Sequence, residues 1–379
     1  MKKVIPIIIQ PTTENYFWVK NVIEGIISSA CRYGCELHII DMETIKEKNL
    51  PKDVPVLVNG HLSEWLSNTA RFLLANGYMP IIVNAGQTNQ RQCKCSAVCF
   101  DLVSGIRDVV EYCISCGREN VVFFGGRQDV SADMEKAQLF RMSTEERGIS
   151  DFKVVYMEDT PEVCIQEFVH LVIDSEIDAV FCANDTVAIL LIQGLQQNSV
   201  RVPGDVLVVG LGDSMVGRLM DVPLLSLSAD YIEMGKQAFR LWRYLCKDGL
   251  DANITVSVAC QLKGAEKMVA FESVRNYQDC IQIEGSGGDC GWNDYFYEDE
   301  KVKRMHRLEK LLRGCDEIDL SLLKAIKYGK ADEMIAAEIW MTPRAVRYRI
   351  NKMMKKIDVQ NRSEIMELLY EFDIMGENR

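Results

Sequence analysis

Asp178-Ala179-Val180-Phe181-Cys182-Ala183-Asn184-Asp185 and, one helix-length later, Pro203-Gly204-Asp205-Val206-Leu207-Val208-Val209-Gly210 decide the fold. Each holds a short apolar run bounded by Asp, Asn, Gly or Pro, the pattern of a strand buried on both faces. Asp185–Gln197 between them has helical length and period. Strand, helix and strand at this spacing make a parallel pair with a right-handed crossover. The same alternation runs upstream. Strands are expected at Val4–Ile9, Glu36–Asp41, Val54–Asn59, Pro80–Asn84, Ala97–Phe100, Asn120–Phe124 and Phe152–Met157. Helices are expected at Tyr16–Tyr33, Leu62–Asn76, Leu102–Cys116, Ala132–Arg147 and Pro161–Ser175. The strands are too many for one compact sheet and divide near residue 100. The expected fold is α/β, with two lobes of doubly wound parallel sheet followed by an all-α C-terminal domain.

Ordinary proportions of apolar (48%) and charged (26%) residues over 379 positions exclude a disordered tail protein, a collagen-like fibre and a polytopic membrane protein. The first apolar run, Val4–Ile9, is interrupted by Pro6 and is too short for a secretory or spanning segment, so a cytoplasmic chain is expected. The net charge of −12 is uneven. Residues 301–379 carry 17 Lys+Arg against 13 Asp+Glu, and the remainder is strongly acidic. An acidic body with a basic end is the pattern of a terminal domain that meets a polyanion.

Fourteen cysteines without a secretory segment read as reduced thiols. Two groups stand out, Cys93, Cys95 and Cys99, and Cys113 with Cys116. The four histidines are scattered, which disfavours zinc, and Cys113 and Cys116 fall on one helix. Packed thiols lead, with metal binding or redox sensing as the alternatives. The Gly-rich, acidic stretch 276–300 reads as a linker, and everything after Lys301 as helical.

The segment 331–375 carries the functional signal. Ala331–Ile339 is a short amphipathic helix with Met334, Ile335 and Ile339 on its apolar side. A tight break at Trp340-Met341 is followed by Thr342 as N-cap and Pro343 at the first helical position. Projected at ~100° per residue, the next helix gathers Val346, Ile350, Met353 and Ile357 on one side. Arg344, Arg347, Tyr348, Asn351, Lys352 and Lys355 lie on the other. Thr342 to Arg362 holds seven basic residues, Lys356 and Arg362 among them, against the single acid Asp358. Two short helices and a tight turn, the second with a basic outer face, describe a helix-turn-helix. Its Lys and Arg side chains suit phosphates, and Arg and Asn near the first turns can reach base edges. The plainer alternative is a solvated face on a bundle helix.

The run Met334-Ile335-Ala336-Ala337-Glu338-Ile339, then Met341-Thr342-Pro343-Arg344-Ala345-Val346-Arg347-Tyr348-Arg349-Ile350, resembles the LuxR-type (GerE) helix-turn-helix. Lys355–Glu364 continues the likeness over about 55 residues. The family's Leu-Thr-x-Arg-Glu entry is absent upstream, and Trp340 stands where the turn is often small. The resemblance implies that Arg344, Arg347, Tyr348, Asn351 and Lys355 face the major groove, and that Ser363–Asp373 is a final, often dimerising helix.

Residues 1–275 resemble the sensor of LacI-type regulators, a fold shared with periplasmic sugar-binding proteins. Val98-Cys99-Phe100-Asp101, Asn120–Gly126, Asp178–Asp185, Pro203–Gly210 and Pro223–Asp230 carry the likeness. It implies a small ligand between the lobes, at the carboxyl ends of the strands. The matching positions are Thr12, Thr13, Asn15, Tyr16, Phe17, Asp101, Asn184 and Asp230. The family's clamping arginine falls near Glu135. Its late aspartate falls at Gly212, next to Asp213. Both departures tell against an ordinary sugar, and the acidic replacement favours a cationic or neutral ligand. The order of sensor before reader resembles xylose-operon regulators.

The domains expected are therefore an effector-binding body (1–275), a linker and connecting helix (276–314) and a LuxR-type reader (315–379). The implied partners are operator double-stranded DNA, a small effector such as a sugar or related metabolite, and a second copy of the chain, with no cofactor, metal or membrane. An enzyme is disfavoured, because Gly125-Gly126 and Gly210-x-Gly212 do not form a nucleotide-binding fingerprint and no catalytic triad is evident. The remaining alternative is a sensor that has lost its ligand and serves as a dimerisation or interaction module.

Overall fold

A computed structural model describes residues 3–11, 13, 16–48, 51–84, 93–128, 130–149, 153–222, 224–248, 252–265 and 295–376. Its strands are β1 (Lys3–Ile9), β2 (Cys35–Ile39), β3 (Val56–Asn59), β4 (Pro80–Val83), β5 (Ser96–Asp101), β6 (Val121–Gly126), β7 (Lys153–Tyr156), β8 (Ala179–Cys182), β9 (Leu207–Leu211), β10 (Leu225–Leu227), β11 (Thr255–Ala259) and β12 (Leu262–Lys263). The helices of the body are α1 (Phe17–Cys31), α2 (Met42–Lys48), α3 (Ser63–Ala75), α4 (Leu102–Ser115), α5 (Ser131–Glu146), α6 (Pro161–Ile173), α7 (Asp185–Gln197), α8 (Met215–Leu219) and α9 (Tyr231–Asp248). Then come α10 (Tyr295–Glu298), α11 (Glu300–Leu312), α12 (Glu317–Lys327), α13 (Asp332–Glu338), α14 (Pro343–Ile357) and α15 (Arg362–Glu371).

The strands form two sheets, ordered β11-β5-β4-β3-β1-β2 and β12-β10-β9-β8-β6-β7. Pairing is parallel, with Ile7 opposite Leu57 in the first sheet, and Val121 opposite Ala179 and Ala179 opposite Leu207 in the second. β3, β4, β6, β8 and β9 are buried at every position, which is why they read as unbroken apolar runs. The division falls after β5 as expected, but β11 returns to the first sheet beside β5. The expected alternation stops at Gly210 and omits α2, α8, α9 and β10–β12. Apart from α9, these are short elements or, like β11, a half-exposed edge strand with little apolar signal.

Residues Met1–Gly117, Gly126–Tyr156 and Leu227–Leu262 cluster as one compact unit. Arg118–Gly125, Met157–Ser226 and Lys263–Arg379 form another, so the C-terminal helices share a unit with β8 and β9. In the first unit α1 and α9 cross closely over a core that includes Val22, Ile26, Phe239 and Trp242. Only glycine fits the crossing, since a Cβ on Gly25 would lie 2.0 Å from the Ile232 carbonyl oxygen and one on Gly235 2.1 Å from that of Val22.

The expected linker 276–300 lies outside the described residues as far as 294, and its last part is helical rather than irregular, α10 leading into α11. Met334 does not share the apolar side of α13. It is 56% exposed, because the inward stripe of this seven-residue helix runs through Ile335 and Ala336.

Candidate nucleic-acid interface and effector site

The C-terminal helices build an element with one buried and one exposed face. The Thr342 hydroxyl accepts from the Ala345 N–H at 3.2 Å, Pro343 opens α14, and Asp358 closes it in the left-handed conformation (φ 56°). The four-residue connection from α13 turns on Trp340 (φ 57°), which is 95% exposed. Val346, Ile350, Met353 and Ile357 are buried, as the projection requires. Arg344, Tyr348, Asn351, Lys352 and Lys355 are exposed together on the opposite face.

The other four predicted contacts have work within the domain. Thr342 is the cap just described. Arg347 is exposed but pairs with Asp332 (2.9 Å) and Glu333 (3.2 Å). Arg362 pairs with the same Asp332 at 3.1 Å and donates to the Lys330 carbonyl. Lys356 is a correction. It lies ~120° from Arg344 on the helical projection, is half-buried, and points its Nζ at the Leu311 carbonyl (3.4 Å). Burial depresses its pKa. Arg349, between the two faces, ties α14 to α12 through Asp316 (2.8 Å) and Asp319 (2.7 Å).

The strand-end candidates look different. Thr12 and Asn15 and the side chain of Phe17 lie outside the described residues. Thr13 is buried and donates to the Gln10 carbonyl (2.8 Å). Asp101 caps α4 by accepting from Ser104 N–H, Asn184 caps α7 by accepting from Val187 N–H, and Asp230 accepts from Glu233 N–H at the start of α9. Asp213 (φ 54°) is ion-paired with Arg218. Glu135 is half-buried on α5, between the partners of a buried Asp133–Lys136 pair at 2.8 Å. Tyr16 belongs to a group of rings at the edge of the first unit's core. Tyr16 lies 6.1 Å from His61, Trp18 lies 6.0 Å from Tyr231, and Phe100 meets Tyr231 edge-on at 5.0 Å.

Sequence reasoning missed two acids. Asp185, the first residue of α7, is buried and accepts from Ser226 Oγ and Ser214 N–H, both at 2.6 Å. Burial pushes its carboxyl up to about 6 despite these bonds. Gly210 leaves it room, since a Cβ there would lie 2.2 Å from Asp185 Oδ1. Glu309 on α11 is 4% exposed and accepts from the N–H groups of Met215 (3.1 Å) and Val216 (2.9 Å). Asp185 could have been suspected from its place at a strand end. Nothing in the pattern of α11 marks Glu309. Among the cysteines, Cys93, Cys95, Cys99 and Cys113 are buried and Cys116 is exposed. Burial, with Cys93 nearby, pushes the Cys95 thiol up to about 12. Among the described residues no His, Cys, Asp and Glu cluster could hold a metal, and no helix is long and apolar enough to cross a membrane.

Residues 110–263 match the family described as periplasmic binding protein-like domain. The chain is 29% identical over 153 residues to the HTH-type transcriptional regulator CelR of Thermobifida fusca, covering 38% of this chain and 44% of that one. It is 25% identical over 143 residues to the HTH-type transcriptional repressor PurR of Vibrio atlanticus (strain LGP32), covering 36% and 42%. The chain thus spans less than half the length of these curated relatives. The crystal structure of the lac repressor dimer bound to operator and the anti-inducer ONPF superposes with a TM-score of 0.57 at 14% identity, over 69% of this chain and 92% of that one. The chain therefore carries a periplasmic-binding-protein-like region on an α/β, parallel-sheet fold that resembles LacI-family structures. Its relatives are transcriptional regulators rather than enzymes.

Proposed function

We propose that this chain is a ligand-responsive, DNA-binding transcriptional regulator that works in the cytoplasm as a homodimer. Residues 1–275 serve as the effector-binding domain, 276–314 as the connection and 315–379 as a LuxR-type reader. The observation that carries the reading is the exposed face of α14, where Arg344, Tyr348, Asn351, Lys352 and Lys355 stand over a fully apolar back. Such a face supplies phosphate contacts and base-edge donors in the geometry of a recognition helix. The regulators among its relatives support the same reading. An effector, such as a sugar or related metabolite, binds at the carboxyl ends of the parallel strands and changes operator affinity by favouring one arrangement of the chain.

A second reading has its own support. Asp101, Asn184 and Asp230 all cap helices and Asp213 is held by Arg218, as they would be in a sensor that has lost its ligand and serves as a dimerisation or interaction module. The deciding experiment is binding of the purified chain to DNA from directly upstream of its own gene at two salt concentrations. Sequence-specific binding that weakens steeply with salt is expected, and equal binding to unrelated DNA, or none at low salt, removes the regulator reading. A thermal-shift screen with neutral and cationic metabolites then separates the two accounts of the sensor.

A further inference from the structure

The five residues of α8 are too few to hold a helix by themselves, and two different parts of the chain hold them. From the sheet side, Asp185 accepts from Ser214 N–H and from Ser226 Oγ, and Ser226 Oγ in turn accepts from Asp213 N–H at 2.9 Å. Ser214 Oγ then caps α8 by accepting from Gly217 N–H. From the C-terminal side, Glu309 accepts from Met215 and Val216 N–H, and Arg313 holds its carboxylate at 2.5 Å. The far end of α8 is fastened as well. Met375 N–H donates to the Leu219 carbonyl (3.0 Å), Asp221 N–H donates to the Asp373 carbonyl (2.9 Å), and Met220 bridges Ile374, which is fully buried. A separate tie runs from Gln193 of α7 to the Glu371 carbonyl (2.5 Å), with Arg304 on the Glu371 carboxylate.

We infer that the Asp213–Asp221 segment is the transmission element of the molecule, with Glu309 as the positioning residue that passes its movement to the C-terminal helices. This rests on the regulator reading for its purpose, though not for its geometry. α8 has no position independent of its two sets of acceptors. A shift of the β9–α8 loop must either carry Glu309 with it or leave a buried carboxylate without its two N–H donors, and the second alternative is the costly one. α11, which bears Glu309, also receives the Lys356 ammonium of α14 on its Leu311 carbonyl and packs along that helix. The path from strand end to recognition helix therefore runs Asp185, Ser214, α8, Glu309, α11 and α14, each step a direct contact. Two arrangements of the loop would become two placements of the DNA-facing side chains.

Hydrogen exchange on the full chain tests this, comparing wild type with Asp185→Asn, on the sheet side, and Glu309→Gln. Coupling predicts that both substitutions speed exchange by about tenfold or more in residues 213–221 and also, by several-fold, in α11 and α14. Faster exchange confined to 213–226 in Asp185→Asn, with α11 and α14 as in wild type, would overturn the inference. If Glu309→Gln loses its cooperative melting transition, Arg313→Gln, which removes the cation that holds the Glu309 carboxylate, replaces it in the comparison. Binding to the upstream DNA separates this inference from the reading it serves. Wild-type binding that both variants alter fivefold or more supports the two together. Wild-type binding unchanged in both variants sinks the transmission role and leaves the regulator reading standing. Absence of wild-type binding sinks the regulator reading, and the exchange data still decide the coupling.

Discussion

At the strand ends, Asp101, Asn184 and Asp230 each give a side-chain oxygen to an N–H of the helix that follows, and Asp213 gives both of its oxygens to Arg218. On α14 the corresponding polar set, Arg344, Tyr348, Asn351, Lys352 and Lys355, stands exposed on a helix whose opposite face is buried. Both sets are polar residues at the two places proposed above as binding sites. A strand end in a parallel sheet is also the point where a helix begins and needs its first N–H groups satisfied, so the same residue type answers a structural demand there. The outer face of α14 answers no such demand, and its basic residues are the more informative for it.

The largest test of that contrast is on α14. Arg344→Ala, Asn351→Ala and Lys355→Ala together are expected to lower operator affinity by roughly 10³-fold and to reduce the salt slope by about 2, at ~1–2 kcal/mol per lost contact. Gel-shift or anisotropy titrations at several salt concentrations measure both, and circular dichroism checks that the helices persist. Unchanged affinity in a folded triple variant would make the face a solvated surface like any other.

Next in size is the buried acid on the other side of the comparison. The carboxyl of Asp185 titrates at about 6 in the folded chain against an ordinary 3.8. The folded state thus holds a proton that the unfolded state releases between these values, and stability falls as pH rises through that window. Asp185→Asn cannot lose a proton. Its stability relative to wild type should rise by up to ~3 kcal/mol between pH 4 and pH 6.5 and then level off, at about 1.4 kcal/mol for each pH unit crossed. Denaturant melts of the two chains across this range give the difference directly. A flat difference would mean that the carboxylate is ionised and fully satisfied by Ser214 and Ser226.

How much of this was legible follows from the same physics. The central strands could be read because parallel strands buried on both faces leave an unbroken apolar run, as Ala179–Cys182 and Leu207–Leu211 do. In the edge strand Thr255–Ala259 exposed positions alternate with half-buried Val256 and buried Val258, a period-2 signal that a search for unbroken apolar runs passes over, and α8 is shorter than two turns. The face of α14 was legible from projection alone, because Val346, Ile350, Met353 and Ile357 fix which side is buried. Projection sets Lys356 ~120° from Arg344, off the exposed stripe, and α11 decides where its ammonium ends. Glu309 is hidden. Its acceptor role depends on N–H groups more than ninety residues earlier, and a Glu four residues before an Arg on a helix reads as an ordinary surface pair.

Of smaller effect are the caps. Asp101→Ala and Asn184→Ala should each cost ~1 kcal/mol of stability, the usual value of an N-cap side chain. If these residues also touch an effector, the thermal shift that effector gives to wild type will vanish in the variants as well. A variant that loses only its ~1 kcal/mol and keeps the full ligand shift assigns the residue to the fold alone.

The finest division falls between two neighbouring lysines. Lys355 is exposed on the side of α14 proposed to face DNA, while Lys356 is half-buried with its ammonium at the Leu311 carbonyl. Counterion release counts only charges that reach phosphate, so Lys355→Gln should lower the salt slope of DNA binding by ~0.9. Lys356→Gln should leave that slope unchanged. Its glutamine amide can still donate to Leu311, so stability should fall by no more than ~0.5 kcal/mol, within the range of ordinary surface changes. Equal slopes for the two variants would place Lys356 among the phosphate contacts after all, and would mean that the contact with Leu311 gives way when DNA binds.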